Sequence, residues 1–327
     1  VSLKNKGAIG LVVNIGPYIS SVPSQAIVFC EQNGFPLFTI PWKTRIIDIS
    51  YEFCRRIIAN EKRESTIADA FRGIIRNPAT ADDYSSMLNR AGFYDDSSYT
   101  VISLSILRKS ISITESVVRT TDMSLWRMLK KSGNHSSLFM KEGDLVAVRQ
   151  NCSEEEIVMF CELLRPIAEQ SADTEIYIGV SESVRGFAEI SQAYEQSYAA
   201  MLTGRIKGKE HVFYRDIGLM KLIFGVKDKM ILSSFAEENL GVLHRYDSEK
   251  NTDYCSVLRK YLELNGSVLE AAAETGVHRN TINYKIRAIR EILGRELDDH
   301  TKSMLMLAYL IEDVLDIYDN LNGGNKQ

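Results

Sequence analysis

The chain has 327 residues, 45% of them hydrophobic and 25% charged, which suits about two or three domains with cores of their own and excludes a fibre or a wholly disordered chain. A formal net charge of −4 excludes a protein that coats nucleic acid with its whole surface, yet leaves room for one local basic module. Five scattered cysteines without a C-x-x-C pair fit reduced thiols in a cytoplasmic protein, and five dispersed histidines lack helical zinc spacing, so no metal or other cofactor is expected.

From Gly7 to Cys30 no residue is charged. Asn14, Gly16, Pro17, Pro23 and Gln25 interrupt that run, and its apolar core from Ala8 to Val13 is too short for a membrane span or a signal peptide. "GAIGLVVNIG" reads instead as a buried strand. The chain starts at Val1, almost on this strand, so the upstream part of a domain is expected to be missing. A helix follows in "SSVPSQAIVFCEQNG", ending at Asn33-Gly34, then a strand in "FPLFTIP". "RIIDISYEFCRRIIANE" predicts an amphipathic helix with Ile46, Ile49, Phe53 and Ile57 on one stripe. Strand, helix, strand, helix is the end of a small α/β domain with parallel strands, over 1–60.

Residues 61–92 read as helical connectors broken at "NPATADD". A second domain over 93–215 opens on the strand "SYTVISLSI" and a helix over 114–131. The segment "HSSLFMKEGDLVAVRQ" then predicts a hairpin turning at Lys141-Glu142-Gly143-Asp144. A helix from Ser153, the strand "EIYIGVS" and a helix in "FAEISQAYEQSYAAMLTG" complete a mixed sheet flanked by helices. Trp42 and Trp126 sit among apolar residues and are expected in cores or domain contacts. From 216 to 322 the pattern is helical.

Within that last region, "NGSVLEAAAETGVHRNTINYKIRAIREILG" has the proportions of two helices crossing at a turn. A helix from Val268 carries Ala271 and Ala272 in its middle, small enough for close crossing. Gly276 falls just past its end, where a positive φ is needed, and Val277 turns the chain inward. A second helix from about Arg279 has Ile282, Ile286, Ile289 and Leu293 as its apolar seam. Its other faces carry Arg279, Asn280, Asn283, Tyr284, Lys285, Arg287 and Arg290. No acid occurs from His278 to Arg290, so four bases (Arg279, Lys285, Arg287, Arg290) are expected to face out unopposed. Arginine pairs with guanine and asparagine with adenine, while lysine and further arginines suit phosphates. Flanking helices with Tyr254, Leu258, Tyr261 and Leu262, and with Leu305, Ala308 and Leu315, give a motif domain over about 254–315. A solvated helix in a bundle is the plainer alternative.

The stretch "YLELNGSVLEAAAETGVHRNTINYKIRAIREILGREL", with "HRNT" at 278–281, Tyr284 and Leu297-Asp298-Asp299, resembles the C-terminal helix-turn-helix of the PucR/CdaR group of bacterial transcriptional regulators. The resemblance continues upstream through "ENLGVLHRYD". "IGVSESVRGFAEISQAYEQSYAAM" is similar to the group's degenerate GGDEF-like middle domain, and "KGAIGLVVNIGPYISSVPSQAIVFCEQNGFPLFTIPW" to the second half of its N-terminal sensor domain. It implies α/β plus all-α architecture: a partial α/β domain, a degenerate GGDEF-like α+β domain, and a helical helix-turn-helix domain. It also implies a cytoplasmic regulator of metabolic genes that binds double-stranded DNA, usually as a homo-oligomer, and senses a small-molecule effector. His278, Arg279, Asn280, Thr281, Asn283, Tyr284, Lys285, Arg287 and Arg290 are its candidate DNA-binding residues, and Ala272, Gly276, Val277, Ile282 and Ile286 its packing residues.

A GGDEF-like domain also raises an enzyme reading, a nucleotide-binding or cyclase-like protein whose C-terminal helices serve assembly. Cyclic dinucleotide synthesis needs carboxylate-held metal ions and a glycine-rich hairpin. Here the hairpin has one glycine, Gly143, and the first strand offers Ser103-Leu104-Ser105 where an aspartate is wanted. "GVSES" at 179–183 lacks the second glycine of a nucleophile elbow. No catalytic or metal-binding residue is therefore expected.

Overall fold

The computed structural model describes Leu3 and residues 8–108, 135–169 and 174–323. The helix expected over 114–131 and Trp126 lie outside the described residues. The chain divides into two compact units, residues 1–66 and 67–327.

In the first unit β1 (Leu11–Ile15) and β2 (Leu37–Pro41) pair in parallel, Leu11 opposite Leu37, with α1 (Ser24–Gln32) as the crossover. Asn33 caps that helix and Gly34 takes a left-handed φ of 56°. The next helix, α2 (Ile46–Arg76), is longer than expected and runs unbroken for 31 residues. Ile46, Phe53 and Ile57, three members of its expected stripe, are exposed. An apolar face is buried only where another element covers it, and none of the described residues does so here. Trp42 is likewise half-exposed, edge-on to Tyr18.

The second unit begins inside the stretch expected to be connector. Ile67, Phe71, Ile74 and Leu88 are buried against Tyr99, Val101, Val146 and Val148. Residues 67–91 thus form a helical layer of the middle domain's core. The break at "NPATADD" is a single 3-10 turn, where Asn77 Oδ1 accepts the N–H of Ala79, and α3 (Ala81–Ala91) follows.

That layer covers one face of a sheet ordered β4 (Ser136–Lys141), β5 (Asp144–Gln150), β3 (Ser98–Arg108), β6 (Thr174–Val180) and β8 (His211–Phe213), with the short β7 (Val184–Arg185) on β3. β3 is antiparallel to β5 and β6, whereas β6 and β8 are parallel. Strand alternation sorts the core. Tyr99 and Val101 face α2, α3 and α5 (Ile190–Lys207), while Ile102 and Leu104 face α4 (Glu154–Glu169). Helix α5 lies so close to β6 that a Cβ at Gly179 would overlap the Ser197 carbonyl oxygen and the Met201 amide nitrogen.

The remainder is helical: α6 (Met220–Gly225), α7 (Lys229–Lys250), α8 (Tyr254–Glu263), α9 (Val268–Thr275), α10 (Arg279–Leu293) and α11 (Asp299–Gly323). Helices α7 and α11 run antiparallel through two cores. Leu232 and Ala236 meet Ile311 and Val314 beside α5 and α6. One or two turns further on, Leu240 and Leu243 meet Leu305, Ala308 and Tyr309 together with α8, α9 and α10. His244 Nε2 lies 2.8 Å from Glu312 Oε1, and Arg259 holds Asp313 with two 2.8 Å bonds.

The start of α8 is capped from another helix. Asp253, in the N-cap position, makes no capping bond. Asp247, in the last turn of α7, instead accepts the N–H groups of Tyr254 and Cys255 at 2.9 and 2.8 Å and the Thr252 hydroxyl at 2.5 Å. Burial alone would raise the Asp247 carboxyl. The bonds from Cys255, Thr252 and Tyr254 outweigh it and hold the group below the usual carboxylate range. A depressed folded value means that this stabilisation is fully present above the unfolded value, about 3.9, and disappears as pH falls through the folded one. Asp247→Ala should therefore cost about 1–2 kcal/mol at neutral pH in a denaturant titration, and the difference from the parent should shrink at strongly acidic pH.

Candidate nucleic-acid interface

The two motif helices are built from local signals. After α8, Asn265 and Gly266 take positive φ values of 53° and 79°, and Ser267 Oγ accepts the N–H of Glu270 at 3.3 Å to start α9. Ala271 and Ala272 are buried among Ile282, Ile286 and Ile289 of α10. Small side chains let the helix axes approach. Gly276 ends α9 with φ 68°, and its N–H and that of Val277 both donate to the Ala272 carbonyl. An added Cβ at Gly276 would meet nothing within 4 Å, so glycine is required for its backbone conformation and not for space. Val277 packs, partly buried, on the same core.

His278 occupies the N-cap of α10, its Nδ1 accepting the N–H of Asn280 at 3.2 Å. Its ring thereby has a structural role at the helix start. Thr281 is half-buried, while Arg279, Asn280, Asn283, Tyr284, Arg287 and Arg290 are exposed. At about 100° per residue these six, together with exposed Glu291, fall within one arc of about 140° that begins about 20° from Ile286, at the edge of the isoleucine seam.

Two of the four bases expected to stand unopposed are paired. Lys285 lies off the arc, beside Ile289. Its side chain is only 19% exposed, and its ammonium sits 2.6 Å from both carboxylate oxygens of Asp253. Arg290 reaches Glu296 at 3.5 Å in an exposed pair. The acid-free window 278–290 is real, but the fold brings acids from α8 and from beyond α10. Among the described residues, Arg279 and Arg287 have no ion-pair partner. Sequence reasoning missed Asp253, which by position reads as a helix cap; only the removal of that duty by Asp247 frees it for Lys285.

The hairpin of the middle domain has different chemistry. Glu142 and Gly143 turn it with φ values of 54° and 93°. Burial raises the Asp144 carboxyl to about 6, against a hydrogen bond from Ser105 and the charge of Arg205. Ser103 is fully buried, its hydroxyl 2.7 Å from that of Ser197. Asp144 thus stands without a second carboxylate on the facing strand. Among the described residues no three His, Cys, Asp or Glu side chains converge to hold a metal ion, and no helix is long and apolar enough to cross a membrane.

A helix–turn–helix whose second helix presents a basic, amide-bearing arc outward defines a nucleic-acid-binding class of domain. Residues 254–311 match the PucR C-terminal helix-turn-helix domain, residues 76–201 the GGDEF-like domain, and residues 1–57 the purine catabolism regulatory protein-like family. Three successive stretches of the chain are thus similar to three different family models, two of them PucR-related. It is 25% identical over 146 residues to the proline-responsive transcriptional activator PutR of Bacillus subtilis, covering 43% of this chain and 36% of that protein. It is 22% identical over 111 residues to the DNA-binding transcriptional activator AdeR of the same organism, covering 33% and 26%. These matches span about a third or less of the relatives' own length. A crystal structure of a regulator of polyketide synthase expression from Bifidobacterium adolescentis is 18% identical and covers 76% of this chain and 97% of that one; its TM-score of 0.36 is too low to bear on the fold.

The turn and the cap separate by substitution. Gly276→Val, forcing a β-branched residue into the left-handed region, should cost about 1–2 kcal/mol or more, and Gly276→Asn clearly less, as read by thermal unfolding. His278→Ser should retain helix stability because serine caps as well, whereas His278→Ala should lose about 1 kcal/mol.

Proposed function

We propose that the chain is a sequence-specific, DNA-binding transcriptional regulator of metabolic genes, working in the cytoplasm as a homo-oligomer under a small-molecule effector. The single observation that carries this is the arc of α10, which groups two asparagines, a tyrosine and three arginines with one acid, Glu291, in the last turn. Helix α10 enters the major groove. Arg279, Asn280 and Asn283, nearest its N-terminus, read base edges; Arg287 and Arg290 hold phosphates, and Tyr284 stands between the two roles. Lys285, held by Asp253, is assigned to bracing α10 on α8 and not to phosphate. In a dimer two such helices would fall about one turn of DNA apart, roughly 34 Å.

The middle domain is proposed as a non-catalytic scaffold. Its support is the pair Ser103–Ser197 at the strand position where cyclase chemistry wants a carboxylate. Incubation with nucleoside triphosphates and magnesium should give no cyclic dinucleotide; turnover without retardation of promoter DNA would reverse the assignment.

The division of roles predicts distinct signatures in fluorescence-anisotropy titrations on the region upstream of the chain's own gene and on random duplex. Asn280→Ala should relax preference at one or two base pairs, costing about 1–3 kcal/mol on the specific site alone. Arg287→Ala and Arg290→Ala should weaken both duplexes alike and lower the salt slope by about one unit each. Lys285→Met should leave the salt slope unchanged and lower thermal stability. Equal losses on both duplexes from all four variants would contradict the assignment.

A further inference from the structure

The middle domain has a concavity at the opposite end of the sheet from the Asp144 hairpin, on the other face. A cleft of about 180 Å³ opens where the parallel strands β6 and β8 end. The carboxyl ends of parallel strands are where open α/β sheets take ligands. Its floor is apolar, from Ile157, Val180 and Phe213.

Two polar features face this floor. Thr100 lines the cleft, is only 4% exposed, and its hydroxyl has no hydrogen-bond partner among the described residues. That hydroxyl is not a sealed, unsatisfied atom; it is open at the cleft, where a ligand or water can bond it. At the mouth, Arg215 and Glu154 form a two-bond ion pair, one bond at 2.8 Å, with both side chains about half-exposed. The start of α4 offers no competing anion site, because Ser153 and Glu156 cap it reciprocally at 3.2 and 2.9 Å.

An ion pair at the mouth of a small, apolar-floored cleft matches a molecule carrying both charges. A lone anion or cation would leave one partner unpaired, whereas a zwitterion replaces one pair by two. We propose that this cleft binds a small zwitterion of the α-amino-acid kind, its carboxylate on Arg215, its ammonium on Glu154, its side chain on Ile157 and Phe213, and a hydrogen bond from Thr100. The volume suits a free amino acid and excludes a nucleotide. Arg215 lies two residues before Ile217, which is buried with Met220, Ala236, Ile311 and Val314 in the core shared by α7 and α11. A ligand that draws Arg215 from Glu154 therefore pulls on the helices that carry the DNA-binding motif. This coupling rests on the proposed DNA-binding function; the binding step does not.

The test is calorimetric titration of the full chain with each of the twenty free α-amino acids, with acetate and methylammonium as half-charge controls. At least one amino acid should bind saturably with one site, and neither control should bind at the same concentration. Thr100→Val should weaken that binding about tenfold and Arg215→Met by at least as much, with circular dichroism confirming that both fold. Binding by no amino acid, binding by acetate alone, or affinity unchanged in both folded variants would each overturn the proposal. Promoter DNA affinity is measured separately on the same samples: amino-acid binding without DNA binding would sink the regulator assignment and leave the cleft assignment intact.

Discussion

The packing of α7 along α11 is the contact on which the rest of the second unit depends. Each helix contributes side chains to two cores, one shared with the sheet domain through α5 and α6, the other with the motif helices. Burying each of Leu232, Leu240, Leu243, Leu305 and Val314 stabilises by about 1.5–3 kcal/mol, and the same two helices carry both sets. Close-packed interiors transmit displacement and do not absorb it. Under the proposed function, the same pair is the physical route by which events in the sheet domain would reach DNA.

At the far end of that route charge is sparing. Arg279 and Arg287, without ion-pair partners among the described residues, carry most of the local positive field in a chain of net charge −4, since Arg290 is paired with Glu296 and phosphate attraction depends on charges within about 10 Å at ordinary salt. The supporting acids are placed off the arc. Asp247 closes the start of α8, while Asp253 pairs with Lys285 beside the isoleucine seam of α10.

Much of this was legible in the sequence because it is local. The boundaries of α9 and α10 follow from Ser267, the alanines, Gly276 and the isoleucine seam, and the hairpin from Lys141 to Asp144. What sequence could not show depends on distant neighbours. The acid-free window around Lys285 said nothing of Asp253, which arrives through α8. Helical periodicity after Ile46 did not tell which turns would be covered, and the helix buries its face only from Ile67 onward. His278 looked like part of a DNA-reading cluster, yet its ring is placed by the geometry of a helix start. Thr100, Glu154 and Arg215 are far apart in sequence and share a cleft only because β3 and α4 start where β6 and β8 end.

The central claim is that α10, through its exposed arc, is the surface that meets DNA. A photo-crosslinking residue placed at Asn283, and in a parallel sample at exposed Leu269 on α9, tests it directly on duplex from the chain's own upstream region. Crosslinks from position 283 to bases within a short, defined stretch, with few from 269, are the predicted result. Crosslinks absent at 283, or equal at both positions and spread over any duplex, would contradict it.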